Sequence, residues 1–183
     1  MTRLVALFFL MLCSQHAFPE TKVLSCNLGG SPSRTVEVLR GHKIYGTYAY
    51  YLSFNGSHDQ PILGNAEKSR GTHNFLKCLG KKKARALILV GEFTTNYPQG
   101  IVVTYNFSIS KFERIDFAER NLPTWLYLGT RDTMIVIPSG GYGETDKKFV
   151  VYRYVAGRGQ DEQTAFSDFL PSTIGYKVIR IRH

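Results

Sequence analysis

Cysteine is scarce in this sequence, with three residues in 183, at positions 13, 26 and 78. No two of them form a CxxC pair, which removes the common redox and zinc motifs. Also missing are the HxH and HExxH metal signatures, a calcium loop and the GxSxG nucleophile elbow. Gly140, Gly141 and Gly143 follow an expected strand but lead into no P-loop Lys-Ser/Thr and no helix. No metal and no cofactor is therefore expected. Beyond residue 12 there is no apolar run of membrane length, so no further transmembrane segment is expected. Acidic residues are outnumbered, with 14 Asp and Glu against 23 Lys and Arg.

What the N-terminus does hold is an export pattern. Arg3 gives a short positive start, residues 4–12 (LVALFFLML) are unbroken apolar, and Ser14, Gln15 and Ala17 lead to Phe18 and Pro19. That order is the one read in a secretory signal peptide. The apolar core is about half the length of a membrane-spanning helix. Residues 1–17 are thus expected to be cleaved, with Gln15 an unusual residue three places from the cut. Lipid attachment at Cys13 is the rival reading, and Leu12 disfavours it because a small residue belongs there. The short signal suggests a bacterial source, with a periplasmic location first and secretion second. In a eukaryotic source, Asn55-Gly-Ser57 and Asn106-Phe-Ser108 would be glycosylation sequons.

Cleavage leaves 166 of the 183 residues, a normal length for one domain over 18–183. The formal charge of +9 becomes +8 with the loss of Arg3. The remaining cysteines, Cys26 and Cys78, are an even pair in an oxidising compartment and are expected to form one disulfide.

The rest of the chain has the two-residue period of strands. Ile101, Val103, Tyr105, Phe107 and Ile109 alternate with Val102, Thr104, Asn106, Ser108 and Ser110, which predicts one face on a core and the other largely toward water. Residues 42–54 place Ile44, Tyr48, Tyr50, Leu52 and Phe54 on one face, with Gly46 marking a bulge or bend. Residues 84–90 are apolar on both faces and suit a central strand. Further strands are expected at 23–26, 35–39, 112–117, 125–128, 133–137, 149–154 and 176–182. Glycine- and proline-containing turns separate these runs at 28–32, 55–56, 98–100 and 138–143. The pattern predicts a mainly β domain, an antiparallel β-sandwich or partly closed β-barrel.

Two short helices are expected within it. In 161–170, Ala165, Phe166, Phe169 and Leu170 make an apolar face, with Asp161 as cap and Pro171 as stop. In 72–79 the apolar side is Phe75, Leu76 and Leu79.

Candidate chemistry is thin. Ser139 precedes a glycine pair and fits a turn better than a nucleophile. His58 and Asp59 lie in the irregular 55–72 region, with His73 next to it, and the three are candidates for a spatially assembled acid–base site. Asp116 and Glu119 read as surface carboxylates. Positive charge is the distributed feature, in two clusters: Lys81, Lys82, Lys83 and Arg85, then Lys177, Arg180 and Arg182, with Arg153 and Arg158 near another turn. Such clusters attract an acidic envelope protein or an anionic polysaccharide. They also serve solubility and protect strand edges. Export makes nucleic acid an unsuitable normal partner.

The leading expectation is a non-enzymatic periplasmic or secreted binding module, an inhibitor or protective partner of an envelope protein. The alternatives are a carbohydrate- or cell-wall-active hydrolase and a structural subunit of a surface assembly.

Overall fold

Strand β6 (Ala84–Glu92) carries apolar side chains at successive positions, and Ala86 to Val90 are buried without a break. A strand of that kind needs cover on both faces. The computed structural model, which describes residues 20–57, 59–94, 97–140, 145–156 and 162–183, supplies it with two antiparallel sheets.

The larger sheet contains β1 (Thr21–Asn27), β2 (Thr35–Ile44), β3 (Thr47–Phe54), β5 (Arg70–Lys81), β6, β7 (Gln99–Asn106) and β8 (Lys111–Ala118), hydrogen-bonded in that order. Short β4 (Gln60–Pro61) joins it at β3. The second sheet has the order β12 (Glu162–Ser167), β11 (Phe149–Val155), β10 (Asp132–Pro138), β9 (Trp125–Leu128), β13 (Lys177–Arg180).

The larger sheet doubles back on itself. β3 and β5 are held by only two residue pairs, Tyr48 with Gly71 and Ala49 with Arg70, after which β5 continues as the partner of β6. Gly71 is required at this corner, because a Cβ there would meet the Glu92 carbonyl oxygen at 2.1 Å. Beyond the corner, β1–β3 lie over one face of β5–β8. Val36, Val38, Tyr50 and Leu52 pack there with Leu87, Leu89, Ile101 and Val103. On the opposite face, Ile88, Val90, Val102 and Ile115 pack with Leu126, Ile135, Ile137 and Ile181 of the second sheet. The result is sandwich-like, with β5–β8 as the middle of three layers, and does not close into a barrel.

This layering corrects several expectations. Among the described residues there is no helix. Residues 72–79 belong to β5, where a register shift between His73 and Phe75 sends Phe75 and Leu79 to one core and Leu76 and Cys78 toward the other. Apolar side chains on both faces erased the alternation and imitated a helical face. The 161–170 helix is replaced by edge strand β12, in which Phe166 pairs with Val150 and Ala165 with Val151. Asp161, its expected cap, lies outside the described residues. The face of β7 expected to be wet is buried, with Val102, Thr104 and Asn106 under the second sheet. β7 also ends at Asn106, so Phe107 and Ile109 lie in the turn to β8.

The 42–54 run is a hairpin: Tyr45 and Gly46 have φ of 47° and 90°, the left-handed pair that a tight two-residue turn demands. Across it, Tyr50 and Leu52 are buried in the core and Tyr48 and Phe54 pack against its margin, sharing a face as the spacing indicated.

Cys26 of β1 and Cys78 of β5 stand at disulfide distance, with Cα atoms 5.5 Å apart, and so tie the folded-over layer to the middle one. Closing a loop of about 53 residues stabilises by roughly 4 kcal/mol in the chain-entropy picture. Non-reducing peptide mapping should recover these two residues as a linked pair, and Cys78→Ala should unfold at lower urea. Two free thiols in natively exported protein would reject the linkage.

Two-sided burial gives a second test. Val102→Asp and Val103→Asp should each cost on the order of several kcal/mol, since either places a carboxylate in an apolar layer. Ser108→Asp, in the exposed turn, should cost far less. Urea midpoints decide it, and a Val102→Asp protein as stable as Ser108→Asp would rule out the middle layer.

Candidate functional site

The expected candidates divide once they are placed. Asp59 lies beside Glu20, whose carboxyl it helps to raise, whereas His73 Nδ1 lies 2.9 Å from the Tyr50 hydroxyl, so the two face different neighbours. His58 lies outside the described residues, as do Gly141, Gly143 and Arg158. Ser139 donates its hydroxyl to the Lys147 carbonyl and its amide to that of Lys148, closing the β10–β11 connection. Asp116 takes a two-pronged contact from Arg114, and Glu119 accepts from the Tyr152 hydroxyl at 2.8 Å. Among the described residues no three His, Cys, Asp or Glu gather as a metal site.

The basic residues behave differently. Lys82 and Lys83 form the two-residue turn between β5 and β6, with Lys82 at φ 53°. Arg85 is on the face of β6 that carries Leu87 and Leu89, at the mouth between β1 and the middle layer. There its Nη1 donates to the Asn27 carbonyl at 2.8 Å, and its Nε is buried without a partner. The 28–34 loop closes over this mouth because Gly29 and Gly30 adopt φ of 95° and 94°. A Cβ on Gly29 would come within 2.8 Å of the Lys82 carbonyl oxygen, and one on Gly30 within 2.8 Å of the Phe107 ring. Only glycines allow so close an approach in this backbone conformation.

The 28–34 loop, the 82–83 turn and the 107–110 turn border a groove of about 810 Å³ lined by Arg34, Lys82, Lys83 and Arg85 together with Tyr105 and Phe107. Arg34 is over the Tyr105 ring at 5.2 Å and Lys83 over the Phe107 ring at 5.4 Å. These contacts hold two cations in place. No carboxylate lines the groove, and none among the described residues forms an ion pair with the four cations.

A smaller pocket of about 290 Å³ adjoins it and shares Lys83, Arg85, Tyr105 and Phe107. It opens between the middle layer and the second sheet, and its polar wall is Thr104, Asn106, Ser108, Glu113, Thr130 and Thr133. Asn106 Nδ2 donates to Glu113 Oε1 at 2.8 Å. Burial pushes the Glu113 carboxyl above its ordinary range; the Asn106 bond opposes this and nearby Asp132 adds to it. Asn106, one of the two sequons, is thus buried and engaged, while Asn55 is exposed.

Of the cations expected to form a surface, Lys82, Lys83 and Arg85 line the groove. Lys81, Arg180 and Arg182 are exposed outside it, with the Arg182 carbonyl accepting from Lys77. Sequence reasoning missed Arg34 and assigned Tyr105 and Phe107 to the core. The Gly-Gly-Ser-Pro turn before Arg34 was the available signal.

The Glu20–Asp59 pair supplies a pH test. Burial, then the bond and the charge of Asp59, raise the Glu20 carboxyl from 4.5 to about 7. The folded state therefore holds a proton that the unfolded state has released, and this contribution to stability is full below pH 4.5 and lost as pH rises through about 7. Thermal midpoints measured across that range should fall more for the wild type than for Glu20→Gln. Parallel curves for the two proteins would remove the shared proton. As for relatives, no family model, curated protein or solved structure matches this chain, so the functional reading rests on the groove itself.

Proposed function

We propose that this chain is an exported, non-enzymatic binding module that recognises an anionic partner through the groove formed by the 28–34, 82–83 and 107–110 turns. The observation that carries the reading is four cations converging on one concavity with no carboxylate among its lining residues. Like charges held together repel one another, and an anionic ligand converts that repulsion into attraction. The role of an inhibitor or protective partner of an envelope component follows from export and from a binding site without a recognisable catalytic group.

Export itself rests on the sequence of residues 1–17, and N-terminal sequencing of the mature protein should begin at Phe18. Among the described residues no helix is long and apolar enough to cross a membrane.

One observation favours a carbohydrate-active hydrolase as the second reading. Glu113 lines the smaller pocket with a raised carboxyl, a property of general acids. Its weakness is the base: nearby Asp132 is committed to Arg153 at 2.5 Å and to the Tyr176 hydroxyl at 2.8 Å.

The test is association kinetics. Partners captured from envelope extract at low salt are purified and measured against wild type, Lys82→Glu and Arg180→Glu. Lys82→Glu should slow association by about tenfold or more, and salt should do the same to the wild type, because screening sets in within about 8 Å at physiological ionic strength. Arg180→Glu, outside the groove, should remain close to wild type. Folded Lys82→Glu protein that binds every recovered partner unchanged removes the groove as the recognition site.

A further inference from the structure

We infer that the groove's ligand is an acidic polysaccharide: its carboxylate or sulfate groups are held by Arg34, Lys82, Lys83 and Arg85, and one sugar unit enters the adjoining pocket. This inference deepens the reading of the groove as an anion-binding site and depends on it.

Shape gives the first argument. The two concavities, about 810 and 290 Å³, are continuous through four shared residues and straddle the end of the middle layer. A groove leading into a side pocket receives a chain with protruding units, whereas a protein partner is usually met by a flatter patch. The second argument is the division of chemistry between them. The larger concavity has the cations; the smaller adds hydroxyl groups from Thr104, Ser108, Thr130 and Thr133 beside the Glu113 carboxyl. Such groups both donate and accept, as sugar hydroxyls require.

The third argument is the state of the cations. Arg85 is anchored by Asn27, and its buried Nε–H still lacks a partner among the described residues. The Asn27 anchor fixes the guanidinium at the groove wall, so an acidic oxygen meets a donor group already in place. Arg34 and Lys83 are held by aromatic rings, so little side-chain freedom is lost when they bind.

Other polyanions fit less well. A peptide bound by strand addition needs an open strand edge, and this groove is built from turns at strand ends. Single-stranded nucleic acid needs free aromatic faces for its bases, whereas Tyr105 and Phe107 each already have a cation over the ring.

Isothermal titration of the mature chain tests the inference with polygalacturonate and dextran sulfate as acidic glycans. Neutral dextran, poly-glutamate and single-stranded DNA serve as comparisons. At least one acidic glycan should bind and neutral dextran should not. Arg34→Ala and Arg85→Ala should each weaken that binding by about tenfold or more. Thr104→Val, which removes a pocket hydroxyl at nearly constant volume, should weaken the glycan and leave poly-glutamate unaffected.

Circular dichroism confirms that each variant is folded, and Arg180→Glu controls for net charge. Poly-glutamate or DNA binding more tightly than either glycan, with the same dependence on Arg34 and Arg85, overturns the glycan while preserving an anion-binding groove. Acidic glycans whose binding ignores all three groove variants, or no groove-dependent binding by any polyanion, overturns both.

Discussion

The strands β5–β8 have an apolar layer against each face, and this double burial decides where the molecule can meet a ligand. Val102 and Val103 are neighbours in sequence, yet they belong to different cores. Along its two inner strands, β6 and β7, the layer therefore offers almost no side chain to solvent. Its residues reach water mainly where the strands end, at the Lys82–Lys83 turn and at the turn after Asn106. The groove occupies that end, so its polar residues approach the surface without placing an unpaired charge inside a core.

The same constraint explains the roles of Gly71 and of the cysteines. A seven-strand path must fold over if its first three strands are to cover its own last four. Gly71 makes the corner because the Glu92 carbonyl leaves no room for a side chain. The Cys26–Cys78 link then joins the two layers on the face where Leu76 and Leu87 pack. Asn27, next to Cys26, provides the carbonyl that holds Arg85. The link and the orientation of one groove cation thus belong to a single short segment of β1.

How much of this was readable in advance followed from how local each feature is. Strand β3 shows its pattern in the sequence because its larger side chains, Tyr48, Tyr50, Leu52 and Phe54, recur at every second position on the core face. β6 was equally clear, since a short apolar run between turns has few other uses. β5 was misread as a helix because its bulge and its two cores shift the apolar residues out of alternation. β12 was misread because pairing with β11, a tertiary event, determines its conformation more than its own Ala165 and Phe166 do. Lys82, Lys83 and Arg85 stood out as a run, but Arg34 is 48 positions earlier than Lys82 and becomes their neighbour only through the 28–34 loop.

The two basic clusters of the sequence also call for different explanations. β13 is an edge strand of the second sheet, and Arg180 at its end, followed by Arg182, is placed where charge discourages pairing with another chain. Edge protection accounts for those residues without a ligand. It does not account for Arg85, whose side chain is folded into a mouth against Asn27. What remains is a set of cations held close together at a cost in mutual repulsion, in a concavity shaped by two left-handed glycines. Binding a negatively charged group is the use that offsets this cost.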